Sequence, residues 1–144
     1  MSGAGPAGGE ELVAALDELL EAERAGARVA LASIRDASGE ALAALMRHVR
    51  GDEARWCAML SRHVRRLGAR PSRRTGAFYG KAMAIADPWE RLAFLNRGQS
   101  WVVRRLEALL PQVEEEGLRA DLLDMLESHR VNIEQAADLL RAGR

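Results

Sequence analysis

Apolar residues recur every three or four positions along four long stretches of the chain, which is the pattern of amphipathic α-helices. This periodicity predicts four helices, over residues 10–36, 40–67, 88–110 and 118–141. Asp87 and Pro88 mark the start of the third helix, because aspartate caps a helix and proline suits its first position. The apolar stripe of the second helix keeps its phase across Gly51, so we expect that helix to be unbroken.

The segments between these helices predict how the helices are connected. Short turns join the first helix to the second and the third to the fourth, which makes each pair antiparallel. The connector of residues 68–87 is long enough to run the length of a bundle, and its residues 77–85 can form a short packing helix. We therefore predict an all-α fold, a four-helix bundle of residues 10–141 with one long crossover between helices 2 and 3. Residues 1–9 are predicted to form a disordered tail.

Polar residues interrupt each apolar stripe near the middle of its helix. Glu23, Glu53, Gln99 and His129 occupy positions that the periodicity turns inward, one on each predicted helix. Because all four lie near mid-helix, they are expected to meet at one level of the bundle. A buried polar group costs free energy unless it is paired, so this layer is a candidate functional site.

Two interpretations of this layer remain open. Glu23, Glu53 and His129 form a ligand set that suits one Fe, Mn or Zn ion with open coordination positions. Alternatively, no metal binds, and the layer is a buried polar network in which the two glutamates share a proton or pair with a cation. The candidate cations are His129 and the arginines that flank the stripes, Arg55, Arg97 and Arg105.

A polar layer in mid-bundle beside a long crossover resembles the ferritin-like di-iron proteins, which carry Glu on two helices and Glu-x-x-His on the other two. The stretches DEARWCAML, GAFYGKAMAI and ERLAFLNRGQSWVVRRLEALLP resemble a bacterial ferritin-like family of unknown function. This resemblance covers about residues 10–140. It implies a ferritin-like fold and carries no assigned activity.

The ligand positions of the di-iron pattern are only partly kept in this chain. The two glutamates of the first and second helices match in type and position, but Trp56 stands where the second helix would carry histidine. Gln99 replaces a glutamate, and His129 and Asn132 replace the Glu-His pair of the fourth helix. The resemblance thus implies a degenerate di-metal site. It leaves open a non-catalytic structural or interaction role and, as the alternative, a mononuclear metal-binding protein or oxidoreductase.

Charge adds one candidate surface. The chain carries 21 basic and 21 acidic residues, so its net charge gives no reason to expect nucleic acid binding. Six arginines and no acid fall between residues 62 and 74, and we call them the arginine patch: Arg62, Arg65, Arg66, Arg70, Arg73 and Arg74. They either complement the helix dipole or bind an acidic protein partner. The acidic run 114–116 could meet the patch in a symmetric oligomer, so we expect a homodimer.

The remaining features concern location and the other histidines. No apolar run approaches the length of a membrane span, and the lone Cys57 fits a reducing compartment, so we predict a cytoplasmic protein. Almost all basic residues are arginine, which we interpret as the codon usage of a GC-rich bacterium. His48 is expected to be exposed without a partner at helical spacing, and His63 to lie in the core or at its rim.

Overall fold

The computed structural model describes residues 8–143, and helices make up most of them. The elements are α1 (Gly9–Arg35), α2 (Glu40–Arg66), α3 (Phe78–Met83), α4 (Pro88–Leu109), a 3-10 turn (Leu110–Gln112) and α5 (Glu116–Ala142). No strand occurs within this described range, which confirms the all-α prediction. None of the described helices is long and apolar enough to cross a membrane.

The helix ends agree with the sequence signals to within a few residues. The side chain of Asp87 accepts a hydrogen bond from the backbone N–H of Glu90 at 2.9 Å, and Pro88 is the first residue of α4. α2 runs unbroken through Gly51, as predicted. α1 begins at Gly9, so the predicted tail is wrong at this residue, while residues 1–7 lie outside the described range.

α5 begins two residues earlier than the periodicity predicts. The reason is a side-chain cap, because the Glu115 carboxylate accepts hydrogen bonds from the backbone N–H groups of Gly117 and Leu118 at 3.2 and 2.6 Å. These bonds, that of Leu118 first, lower the pKa of this exposed carboxyl group below its usual value. The cap satisfies N–H groups that have no partner inside the helix.

The four long helices surround a core that is divided into two apolar clusters. α1 packs against α2 and α4, and α5 packs against the same two helices. The first cluster contains residues near the start of α1 and the end of α2, among them Leu16, Leu60, Leu106 and Leu122. The second cluster contains residues from the opposite ends of these helices, among them Val29, Met46, Leu95 and Ala136.

The order in which each helix passes the two clusters gives its direction. α1 and α5 run from the first cluster to the second, and α2 and α4 run from the second to the first. The connector between α2 and α4 must therefore return along the length of the bundle, where α3 packs against α1 and α4. Its middle is fixed to α1, since Ser72 donates from N to Asp17 Oδ1 at 2.9 Å and from Oγ to Glu21 Oε2 at 2.6 Å.

Candidate metal centre

A layer of buried polar side chains separates the two apolar clusters. Glu23 on α1, Glu53 on α2, Gln99 on α4 and His129 on α5 each lie between residues of the first and the second cluster. Their exposed fractions are 1, 2, 4 and 1%. The inward placement that the interrupted stripes predict is thus what the structure shows for all four residues.

Three of these side chains approach one another closely enough to share one ion. Glu23, Glu53 and His129 each offer a ligand atom, and these atoms all lie within 4.8 Å of one another. The donors are carboxylate oxygens and an imidazole nitrogen, which suit Fe²⁺, Mn²⁺ and Zn²⁺. Each residue comes from a different helix, so the fold rather than local sequence brings the cluster together.

The hydrogen bonds of His129 fix the orientation of its ring. Nδ1 lies 2.9 Å from the carbonyl oxygen of Met125, which can only accept, so Nδ1 carries a hydrogen and donates it. Nε2 faces the Glu23 carboxylate, at 3.1 Å from Oε2 and 3.0 Å from Oε1. In a neutral imidazole this arrangement leaves the Nε2 lone pair directed at the carboxylates. Metal-binding histidines are oriented in the same way, by a bond from the second ring nitrogen.

In the absence of an ion, two side chains of the cluster have raised pKa values. Burial lowers the pKa of His129, but the Glu23 carboxylate and its hydrogen bond oppose this, and the pKa is raised above its ordinary value. Burial, then the charges of Glu23 and Asp52, raise the pKa of Glu53 well above its usual range. Both shifts favour the protonated form of the group, and a cluster that holds one added proton on the imidazole and one on the carboxylates carries no net charge.

Several oxygen atoms in the layer lack hydrogen-bond partners among the described residues. They include Glu53 Oε2 and Gln99 Oε1. Glu23 Oε1 also lacks a hydrogen-bond partner. His129 Nε2 lies close to both oxygens of Glu23, but its hydrogen bond is to Oε2. A buried acceptor without a donor costs free energy. These oxygens can therefore accept a metal ion, a proton held within the cluster or the donor group of a ligand.

Gly26 provides the space in which the Glu53 carboxylate lies. It is buried one turn after Glu23 on α1, and a Cβ atom at this position would overlap Glu53 Oε2. A glycine at this point lets the side chain of α2 reach the face of α1 that carries Glu23. Sequence reasoning missed Gly26, because a glycine within a helical stripe has no distinctive spacing.

Arginine does not act as the counter-ion that sequence analysis left open. The guanidinium groups of Arg55, Arg97 and Arg105 stack instead on the aromatic rings of Trp56, Phe94 and Trp101, with distances from Cζ to the ring centre of 4.5, 5.6 and 5.1 Å. Arg105 also pairs with Glu18 at 3.2 Å. His129 is the group that pairs with Glu23.

Asp52 is a further residue of the layer that sequence analysis missed. Its Oδ2 accepts hydrogen bonds from Ser128 Oγ and Asn132 Nδ2, both at 3.0 Å, and lies 3.2 Å from His48 Nε2. The prediction that His48 has no partner at helical spacing is therefore wrong, because Asp52 is four residues further on. Asn132 is buried, and its amide nitrogen is engaged with Asp52.

Trp56 occupies core space rather than a ligand position. Its side chain is 3% exposed and belongs to the first apolar cluster, and its indole N–H has no acceptor in the described part of the chain. An indole N–H can donate a hydrogen bond but offers no lone pair to a metal. The residue that stands at the expected histidine position thus contributes packing.

We predict that Trp56→His will not restore a second metal site. The smaller ring leaves a cavity, so the free energy of unfolding should fall by about 2–4 kcal/mol, the usual range for large-to-small core changes. Gln99 and Asn132 would still offer no carboxylates to a second ion. Chemical denaturation and iron analysis check both parts, with the half-buried Trp89→His as the control. Two tightly bound irons per chain in the variant would contradict the prediction.

A pocket leads from the surface to this layer. Its volume is about 330 Å³, and it lies between α1, α4 and the connector. Glu23, Glu53 and Gln99 line it together with apolar side chains that include Phe78 and Trp101. The pocket gives small molecules a route to the cluster, which a packed core would not.

The arginine patch is partly neutralised within the chain. Arg62 pairs with Asp121 at 3.5 Å, and Arg66 pairs with Glu115 at 3.4 Å. The acidic run that was expected to meet the patch across an oligomer therefore already contacts it in the same chain. The other members, Arg65, Arg70, Arg73 and Arg74, are exposed, and their side chains form no ion pair with any described residue. An acidic partner for them stays a prediction.

His63 lies at the rim of the core, as predicted, and takes no part in the metal cluster. It is 6% exposed. Its Nε2 lies 2.7 Å from Asp121 Oδ2, and its Nδ1 lies 3.1 Å from the guanidinium nitrogen of Arg66. Both ring nitrogens are thus engaged, which indicates a structural role in joining α2 to α5.

Comparison with known proteins identifies a family whose function is not assigned. A model described as a domain of unknown function (DUF6306) matches residues 10–138, and the chain therefore belongs to this family. The match contains the whole polar layer. No curated protein and no solved structure matches the chain. A ferritin-like ancestry, a homodimer, a cytoplasmic location and a bacterial origin stay predictions.

Proposed function

We propose that this member of the DUF6306 family is a metalloprotein that binds one divalent transition-metal ion, Fe, Mn or Zn, through Glu23, Glu53 and His129. The observation that carries the proposal is the convergence of three buried ligand atoms within 4.8 Å. The hydrogen bond from His129 Nδ1 to Met125, which leaves Nε2 available, supports it.

Charge balance also supports a divalent ion. Two carboxylates and a neutral imidazole carry a charge of −2, which one M²⁺ cancels, so the filled site is neutral in a core that tolerates charge poorly. Three protein ligands leave coordination positions for water or a small molecule. The pocket that reaches Glu23 and Glu53 supplies space for such a ligand.

The proposal includes a ferritin-like architecture with a degenerate di-metal site. One long crossover in a four-helix bundle is the ferritin-like connection, and the connector between α2 and α4 runs the length of this bundle. Glu23, Glu53 and His129 form the only group of three potential ligands found among the described residues. Trp56 and Gln99 take the place of ligands that a second ion would need, so we propose a mononuclear site.

A metal-free structural role is the competing proposal, and one observation favours it. Protons can take the place of an ion, because His129 Nε2 lies 3.0 Å from Glu23 Oε1 and burial favours the protonated form of Glu53, so the layer can balance its charge without a metal. In that case the bundle would act through a partner rather than through chemistry. The two proposals differ in metal content and in the protons that a metal would displace.

We predict that freshly purified or reconstituted protein holds one ion per chain and that binding releases protons. The surroundings raise the pKa values of both His129 and Glu53, so the metal-free cluster holds protons that an ion must displace, up to two for each ion bound. Calorimetric titration with Zn²⁺ in buffers of different ionisation enthalpy measures this number, and elemental analysis measures the stoichiometry.

Matched variants identify the ligands. Glu53→Gln and His129→Gln should abolish stoichiometric binding, whereas Glu10→Gln, on an exposed side chain, should leave it unchanged. Absence of binding in the wild-type protein, or full binding by both ligand variants, would contradict the proposed function and favour the metal-free network.

A further inference from the structure

The pocket beside the layer has features of a binding site for a small organic molecule. Its volume of about 330 Å³ lies within the range of small-molecule pockets. For comparison, an apolar cavity of about 150 Å³ holds a benzene molecule. Apolar side chains form much of its wall: Ala22, Phe78, Leu95, Trp101 and Val102.

The walls of the pocket are held in place by contacts outside it. Phe78 stacks on Phe94 with ring centres 4.9 Å apart, and its ring lies against Gly98, where any Cβ atom would overlap it. The connector is fixed to α1 by Ser72, and Arg24 donates a hydrogen bond to the carbonyl oxygen of Arg74 at 2.9 Å. A ligand would therefore meet a largely preformed site, which reduces the entropy lost on binding.

The charge of the lining excludes anions. Within residues 8–143, every ionisable side chain that lines the pocket is a glutamate: Glu18, Glu21, Glu23 and Glu53. A carboxylate or phosphate ligand would find no cation among the lining residues unless it reached a bound metal, and it would face the carboxylate of Glu21, because Arg105 already pairs with Glu18 at the rim. An uncharged ligand avoids both costs.

Gln99 specifies the polar group of the ligand. It is 4% exposed, it lines the pocket, and its Oε1 accepts no hydrogen bond from any described residue. A buried amide oxygen in this state gains free energy from a donor on a ligand. A hydroxyl group supplies that hydrogen and also keeps an oxygen lone pair that can face a metal ion.

We infer that the pocket binds a small uncharged alcohol, with its apolar body against Phe78 and Trp101 and its hydroxyl donating to Gln99 Oε1. The inference rests on the proposed function in one respect, since the hydroxyl oxygen would face the ion held by Glu23 and Glu53. The hydrogen bond to Gln99 and the apolar contacts do not require the ion.

Three probes of one ring each test this assignment on the full chain, in chelated and in Zn²⁺-treated form. Benzyl alcohol should bind in calorimetric or ligand-observed NMR titrations, and toluene roughly 2- to 10-fold more weakly, the value of one ordinary hydrogen bond. Benzoate should bind the chelated protein at least about tenfold more weakly, because of its charge. Equal binding of toluene would overturn the hydroxyl assignment, and equal binding of benzoate by the chelated protein would overturn the charge argument. Tighter binding of benzylamine than of benzyl alcohol would overturn the assignment of an uncharged ligand.

Two variants locate the binding site. Gln99→Leu should reduce benzyl alcohol to the affinity of toluene without weakening toluene, and Ala22→Leu should fill the pocket and weaken both probes. Gln135→Leu and Ala14→Leu place the same changes on exposed helix positions and should leave the affinities unchanged. Unchanged affinity in both pocket variants would overturn the inference.

The outcome separates this inference from the proposed function. If the chain binds no Zn²⁺ but the chelated protein still binds benzyl alcohol through Gln99, the metal proposal fails and the pocket assignment stands. If the chain binds one Zn²⁺ and neither form binds benzyl alcohol, the pocket assignment alone is overturned.

Discussion

Replacing His129 with leucine in the metal-free protein is expected to lower the free energy of unfolding by about 3–5 kcal/mol near neutral pH, the usual cost of removing one partner of a buried ion pair. His129 and Glu23 have side chains that are each 1% exposed, and their charged atoms lie 3.0 Å apart. Leucine would fill much of the space but leave the Glu23 carboxylate without a cation. Denaturant unfolding of chelated protein measures the loss.

Two further variants show whether the loss comes from charge. Glu23→Gln combined with His129→Leu removes both charges and should recover most of the stability, because neighbouring groups couple in such a cycle. Glu53→Gln alone should cost the metal-free protein much less than His129→Leu, since burial favours the protonated form of Glu53 and the neutral amide keeps its shape. An equally large loss in Glu53→Gln would contradict the raised pKa of this carboxyl group.

The pH dependence of stability has the same sign for both titrating groups. The pKa of His129 is raised above 6.5 in the folded protein. Its contribution to the free energy of unfolding is therefore complete below about pH 6.5, and it is lost as the pH rises through the pKa of the folded state. The pKa of Glu53 is raised above 4.5, so folding holds a proton that the unfolded chain releases, and stability falls as the pH rises. The difference in free energy of unfolding between wild type and His129→Leu should shrink at alkaline pH. A difference that grows with pH would contradict the raised pKa of His129.

The polar layer could be predicted from sequence because helical periodicity reports burial directly. A residue that falls on an apolar stripe is turned inward whatever its chemistry, and four polar residues at mid-helix must meet if the helices form one bundle. Glu23, Glu53, Gln99 and His129 illustrate this rule. The start of α4 could be predicted equally well, from the Asp87 cap and from Pro88 in the first helical position.

Contacts between elements that are distant in sequence could not be predicted in this way. The pairing of Asp52 with Asn132 joins α2 to α5, and the bond from Arg66 to Glu115 joins the end of α2 to the start of α5. Each depends on the rotation of one helix against another, which periodicity does not specify. The pocket depends in addition on the path of residues 67–77, where no repeating pattern exists.

Gly26→Ala is expected to weaken metal binding by about 10- to 100-fold, the loss typical of changes that disturb the orientation of a metal ligand. The new methyl group would overlap Glu53 Oε2 and push the carboxylate away from Glu23 and His129. In the metal-free protein the loss of stability should be smaller than the loss in free energy of metal binding. Alanine favours a helix over glycine by about 0.5–1 kcal/mol, which offsets part of the free-energy cost of displacing the carboxylate. Calorimetric titration with Zn²⁺ and denaturant unfolding of the chelated variant measure the two effects separately.

Gly51→Ala provides the matched control, since Gly51 lies in the middle of α2 and a Cβ atom there meets no described atom within 4 Å. This variant should gain about 0.5–1 kcal/mol in the free energy of unfolding, with unchanged affinity for Zn²⁺. If Gly26→Ala bound the metal as tightly as Gly51→Ala, the Glu53 carboxylate could not be a ligand in the position that the structure shows. Loss of binding in Gly26→Ala alone, with the fold intact, is the result that a site built from α1, α2 and α5 requires.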